Sequence, residues 1–102
     1  KQGKPGAVAL AEQANTLLPD RAPLLDTLAT ALAAEKNLSK AIEAQKRAII
    51  LSPQDGSLKL NLARHYIQNG EKPQAKAELD ALAAMGNKFS GQAEVATLLK
   101  SL

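Results

Sequence analysis

The side chains that could do chemistry in this chain are few, and their spacing does not assemble a reactive set. His65 is the only histidine and there is no cysteine, so the chain lacks the usual ligands of a transition-metal site. A lone histidine can act as a general base, but it then needs a nucleophile or a carboxylate within reach. We therefore expect His65 to pack inside the fold beside Tyr66, and we expect neither a metal ion nor a cofactor.

The carboxylates and hydroxyls are also dispersed. Four acidic residues fall on the exteriors of predicted helices, where no two of them share a cleft: Glu35, Glu43, Glu78 and Asp80. Five serines fall at helix edges, which suits capping better than nucleophilic attack: Ser39, Ser52, Ser57, Ser90 and Ser101. The glycines are too isolated to form a phosphate-binding loop. The sequence therefore predicts a protein that is not an enzyme.

Composition favours a single all-α domain. The chain has 102 residues, of which 45% are hydrophobic but only 2% aromatic, namely Tyr66 and Phe89. Alanine and leucine supply most of the apolar residues, and both have high helix propensity. No apolar run approaches the roughly 20 residues of a membrane-spanning helix, so we expect no membrane insertion by this segment.

Charge gives little support to nucleic-acid binding. The net charge is only +3, and the 13 basic residues are interspersed with 10 acidic ones. Lys40, Lys46 and Arg47 could form a small basic stripe, but aromatic side chains for base stacking are missing. We therefore expect no nucleic-acid partner.

A period of 34 residues organises the chain. Pro19 and Pro53 are separated by this interval, and alanines precede both prolines at the same distances of 12 and 5 residues. The sequence Lys4-Pro5-Gly6-Ala7 returns as Lys72-Pro73-Gln74-Ala75, two periods later. A fixed period of this length indicates a stack of helical hairpins.

Apolar spacing predicts six helices, over residues 5–18, 22–35, 39–51, 56–68, 72–85 and 90–101. Asn37 or Ser39 is expected to cap the third helix and Asp55 the fourth. Gly70 suits a left-handed residue after the fourth helix, and Pro73 suits the first turn of the fifth. The predicted inward-facing or same-face residues of the six helices, in order, are Leu10, Ala11, Ala14 and Leu17; Leu25, Leu28, Ala29 and Leu32; Ala41, Ala44, Ala48 and Leu51; Leu58, Leu62, Ala63 and Tyr66; Ala75, Leu79 and Leu82; and Val95, Leu98, Leu99 and Leu102.

These positions resemble the tetratricopeptide repeat, a hairpin of helix A and helix B. Residues 22–55 match one full repeat, with small Ala29, Ala41 and Ala48 and a final Pro53. Only Gln45 departs from the pattern, which usually has an aromatic residue there. The resemblance implies a right-handed solenoid of antiparallel helix pairs. It divides the single domain 1–102 into a half repeat of helix B alone (5–19), a full repeat (22–55), a degenerate repeat (56–89) and a capping helix (90–102).

The resemblance also implies a function. In this family the A helices line a concave groove that binds a peptide or helix of a protein partner, so we expect a protein–protein interaction scaffold. By register the groove candidates are Asp26, Thr30, Ala33, Leu60, Asn61, Arg64, Ile67 and Gln68. Some members grip a carboxylate with a clamp of Lys, Asn and Arg. Only Asn61 occupies a clamp position here, and Asp26 would repel a carboxylate, which argues against such a clamp.

An alternative is that the segment caps a longer array whose main groove lies upstream, with Val95, Leu98 and Leu99 filling the channel. The orphan first helix B supports this hypothesis, and it also allows self-association through its uncovered face. A finer resemblance, carried by Leu25–Ala29, Leu60–Ala63 and the loop Gly86–Phe89, is to arrays of the bacterial exopolysaccharide-linked sorting system. It implies a cell-envelope or periplasmic location; otherwise the location would be cytoplasmic.

Overall fold

The computed structural model describes residues 6–102 and shows that this part of the chain is all-α, with six helices and no strand. The helices are α1 (Gly6–Leu17), α2 (Ala22–Ala34), α3 (Leu38–Leu51), α4 (Gly56–Gln68), α5 (Lys72–Ala84) and α6 (Gln92–Ser101). A 3-10 turn at Gly86–Lys88 stands where a loop was predicted. Each predicted helix is present within two residues of its expected ends, although residue 5 lies outside the described residues.

Helix ends follow the local signals with two exceptions. Asp55 caps α4, because its Oδ1 accepts a hydrogen bond of 3.0 Å from the Ser57 backbone N–H, and Gly70 is left-handed with φ 78°. The side chain of Asn37 makes no capping bond at the start of α3. Gly91, rather than Ser90, precedes α6.

The ends of α2 and α4 repeat one backbone motif. Lys36, with φ 68°, lies 34 residues before Gly70 and adopts the same left-handed conformation. Beyond each, a backbone N–H reaches back into the helix: Asn37 donates to Leu32 at 2.9 Å, and Glu71 donates to Tyr66 at 2.8 Å. The period therefore extends to backbone geometry, and it holds at Lys36 although a lysine is strained there.

Consecutive helices pack against one another along the chain, and α2 also touches α4. Thus α2 and α4 are the A helices of successive pairs, while α1, α3 and α5 form the other layer. Small buried side chains let these helices approach closely. The core divides into four clusters, and Leu25, Leu79 and Leu82 are among its largest fully buried side chains.

The predicted stripes are wrong at Leu51. That residue is 42% exposed, whereas Ile42 and Gln45 are buried on α3. The cause is position: Leu51 is the last residue of its helix, beyond the end of the packed face. In the first helix Ala11 is buried but Leu10 and Leu17 are exposed, so the four residues of its predicted stripe do not form one inward face.

Phe89 joins the last helix to the rest of the stack. Its buried ring lies over two glycines, Gly56 at the start of α4 and Gly91 before α6. A Cβ atom at Gly56 would lie 2.6 Å from Phe89 Cδ1, and one at Gly91 would lie 2.7 Å from Cζ. The ring also belongs to the cluster that holds Val95 and Leu60. Glycine at both positions is therefore what allows the aromatic ring to seat.

We predict that Gly56→Ala destabilises the protein by about 1–3 kcal/mol, because the added methyl overpacks a buried ring that has little room to move. Urea unfolding measures the effect. Gly6→Ala is the matched control, since nothing lies within 4 Å of a Cβ at that helical glycine. A Gly56→Ala protein as stable as the control would contradict the proposed role of the Phe89 contact.

Candidate functional site

An open groove runs between the A helices α2 and α4 and is closed at one side by α6. Its volume is about 490 Å³. Methyl and methylene groups from all three helices face it, and amide and guanidinium groups lie among them. The lining residues are Thr30, Ala33, Ala34, Asn61, Arg64, His65, Ile67, Gln68 and Leu98.

Six of the eight sequence-predicted site residues lie in this lining, namely Thr30, Ala33, Asn61, Arg64, Ile67 and Gln68. They come together because residues three, four and seven apart share one face of a helix. Asp26 is half-buried and hydrogen-bonded to Asn61 at 2.9 Å, beside the lining rather than in it.

The placement of Leu60 in the groove is wrong. Its side chain is 6% exposed and packs with Ala63, Leu79 and Val95 in the core. Leu60 precedes Asn61 by one residue, and one residue rotates the side-chain direction by about 100° around a helix. That rotation turns Leu60 away from the groove and towards α5 and α6.

Sequence reasoning missed three lining residues. Ala34 and His65 each lie next to a residue that was correctly placed or described, so a one-residue widening of each face would have found them. Leu98 was expected as part of a plug. Instead, of Val95, Leu98 and Leu99, only Leu98 lines the groove, while Val95 and Leu99 pack against the core. The last helix therefore forms a wall and leaves the groove open.

A chain of hydrogen bonds underlies the groove and joins α2, α3 and α4. The Asp26 carboxylate accepts from Gln45 Nε2 at 2.7 Å and from Asn61 Nδ2 at 2.9 Å. Gln45 Oε1 lies 2.9 Å from His65 Nε2. Gln45, the one departure from the repeat pattern, is thus the link between a carboxylate and a histidine.

This network assigns the histidine tautomer. Because Gln45 gives its N–H to an ionised carboxylate, its oxygen must accept, and so His65 Nε2 carries the proton and donates. His65 Nδ1 is then a buried acceptor with no hydrogen-bond partner among residues 6–102. Burial lowers the pKa of His65 below its ordinary value, with a smaller lowering effect from Arg64 that Asp26 opposes. His65 is therefore held neutral.

Arg64 is held by the protein itself. Its Nε donates to Glu94 Oε2 at 3.0 Å, and its Nη2 donates to the same oxygen. Its Nη1 donates to Asn61 Oδ1 at 2.6 Å. The ion pair between Arg64 and Glu94 links α4 to α6 and is partly exposed, so it adds little stability but neutralises the cation at the groove edge.

The described residues hold no obvious reactive centre. No group of three His, Cys, Asp or Glu residues within 6–102 is placed to hold a metal ion. Nor, over the same span, is any helix long and apolar enough to cross a membrane. On the opposite layer, Lys40 and Arg47 share a crevice with Glu12 and Glu43, so the proposed basic stripe is interleaved with acids.

Three comparisons with known proteins bear on this arrangement. The family model described as tetratricopeptide repeat matches residues 32–102. No curated protein matches the chain in sequence. Two structures of SycD, the type III secretion translocator chaperone of Yersinia enterocolitica, have a similar fold, one of them an alternative dimer. Each has a TM-score of 0.81 and 16% identity over 92% of this chain, covering 74% and 68% of the respective SycD chains. Identity this low shows a shared fold alone.

We predict that Gln45→Leu destabilises the protein by about 1–3 kcal/mol, because it leaves the buried His65 N–H unpaired and removes one bond from Asp26. Chemical denaturation measures the loss. Gln54→Leu, in an exposed turn, is the control and should stay within about 0.5 kcal/mol of the parent. A Gln45→Leu protein as stable as that control would show that the network contributes nothing to stability.

We also predict that the free energy of unfolding falls as the pH drops below about 6.5, the ordinary pKa of histidine. The unfolded chain takes up a proton at His65 more readily than the folded chain, so acid favours unfolding; above that pH the contribution is fully present. Urea titrations between about pH 7.5 and 5.5 test it against His65→Gln, which removes the only histidine. Equal pH dependence in both proteins would contradict the assignment.

Proposed function

Because the chain belongs to the tetratricopeptide repeat family, we propose that it is a non-catalytic module that binds a helix or extended segment of a protein partner. The observation that carries the proposal is the open groove of about 490 Å³ between α2, α4 and α6. That volume lies within the range of pockets that bury ligands in proteins. The site supplies shape and apolar surface, and it presents no nucleophile beside a base.

The chemistry of the lining favours an uncharged, apolar ligand face. Ala33, Ala34, Ile67 and Leu98 offer hydrocarbon surface from three helices. Asp26 already accepts two hydrogen bonds, and Arg64 already pairs with Glu94. A charged ligand group would have to break these bonds and would gain only what was lost. A helix with apolar side chains at positions i, i+3 or i+4, and i+7 meets the groove without that cost.

Competition from Glu94 also argues against a carboxylate clamp. The Glu94 carboxylate occupies Arg64 through two guanidinium nitrogens, in the manner that a bound acidic peptide would use. Asp26 adds a negative charge on the same side of Asn61. Both features support apolar selection over recognition of an acidic tail.

A second candidate, the structural cap, is favoured by one feature of α6. Val95 is fully buried against α4 and α5, while Glu94, Thr97, Lys100 and Ser101 present a polar outer face. A terminal helix with a polar outer face keeps a repeat array soluble. The two roles are compatible, since the same helix both covers the core and supplies Leu98 to the groove.

The chaperone activity in the printed description of SycD belongs to that protein, and it supports a protein partner here only through the shared fold. The finer resemblance to exopolysaccharide-linked arrays, with its envelope location, stays a prediction. Cell fractionation with an antibody against this chain is the measurement that tests it.

We predict that a library of displayed random peptides, selected on the intact protein, enriches helical ligands with apolar residues at i, i+3 or i+4, and i+7 and without carboxylates facing the groove. Ala34→Trp should weaken their binding by at least about tenfold, or about 1.4 kcal/mol, because the indole fills the groove. Isothermal titration calorimetry with the enriched peptides measures the change.

Ala83→Trp is the matched control, because Ala83 is also an exposed helical alanine but does not line the groove. Binding that survives Ala34→Trp would place the ligand elsewhere. Ligands that are acidic and depend on Arg64 would contradict the apolar selection. A library that yields no ligand at all would leave the capping role as the better account.

A further inference from the structure

One face of α1 is apolar and uncovered. Leu10 and Leu17 are 68% and 72% exposed, Ala7 is exposed and Ala14 is half-buried. These four residues, which we term the α1 seam, follow one another at intervals of three, four and three. That interval is the spacing of residues that meet a second helix along its length.

The repeat register identifies what kind of surface the seam is. The residues 34 positions later are Ala41, Ala44, Ala48 and Leu51. The three alanines are buried in α3 and pack in clusters with α2 residues. The corresponding surface of α1 is therefore built to receive a helix, and two of its positions carry leucine where the covered helix has a small or terminal residue.

The seam is complementary to itself. In an antiparallel pair of α1 helices with the two-fold axis at residue 12, Ala7 stands opposite Leu17 and Leu10 stands opposite Ala14. Every leucine then meets an alanine, so large and small side chains alternate across the pair and the helices can approach closely. We propose that the α1 seam is a homodimerisation surface, and that its occupant is the α1 helix of a second copy in antiparallel orientation.

Charge does not oppose this pairing. Glu12 is the only charged residue in α1. It lines the crevice with Leu28 and Lys40, on the side of α2 and α3, rather than lying on the seam. The symmetric pair therefore brings no like charges together, which a self-association surface requires, since every charge on it meets its own copy.

The length of the seam sets the strength of the dimer. A single helix pair of this size buries less than the roughly 1,200 Å² of a standard stable interface. The dimer is therefore concentration-dependent, and it forms and separates without unfolding of the protomers.

Sedimentation equilibrium on the intact chain, up to about 1 mM, a range that covers weak association, tests the proposal. The apparent mass should rise from 10.7 kDa towards twice that value. Leu10→Lys with Leu17→Lys should hold the protein at the monomer mass while circular dichroism stays unchanged. The control pair, Ile50→Lys with Leu51→Lys, alters two other exposed apolar residues and should still dimerise. A parent protein that stays monomeric, or a seam variant that still dimerises, overturns the proposal.

Disulfide trapping tests the orientation, because the chain has no cysteine of its own. With oxidised glutathione, a mixture of Leu10→Cys and Ala14→Cys chains should form the mixed dimer much faster than either variant pairs with itself. Preferential linkage of Leu10→Cys to its own copy would indicate parallel helices and would overturn the antiparallel pairing.

Discussion

The close approach of neighbouring helices at fully buried alanines is the constraint on which the whole stack depends. Ala29 in α2 and Ala63 in α4 lie 34 residues apart, as do Ala41 in α3 and Ala75 in α5, and all four have no exposed surface. A larger side chain at any of them would push two helices apart, since interiors are close-packed and transmit strain. The same four contacts fix the spacing between α2 and α4, and that spacing determines the width of the groove.

Within this frame, a buried polar network specifies how the groove is supported. Gln45 is fully buried and holds Asp26 on one side and His65 on the other. Such a network costs free energy when it is incomplete and rigidifies the structure when it is satisfied. Here it is complete except for His65 Nδ1. The groove residue Asn61 is thereby oriented by groups that lie behind it, which suits a preformed binding surface.

The two faces that remain open have different chemistry. The groove combines methyl groups with amides and an arginine that is already paired, so it suits a ligand that brings apolar side chains and leaves the ion pair between Arg64 and Glu94 intact. The α1 seam carries only alanine and leucine and suits a helix of the same kind. The two surfaces belong to different layers of the stack, because the A helices build the groove and a B helix carries the seam.

The amino-acid sequence by itself determined the period, the six helices, the cap at Asp55, the left-handed Gly70 and most of the groove face. These features depend on residues within one or two helical turns, where spacing and propensity decide the outcome. Tertiary structure alone decided that Leu60 turns into the core, that Phe89 lies over Gly56, and that Gln45 joins Asp26 to His65. Those partners are 19 or more residues apart and belong to different helices, so their contacts depend on how each helix is rotated against its neighbour. Helical periodicity leaves that rotation uncertain by about one residue, or 100°, which is enough to move a side chain from a groove into a core.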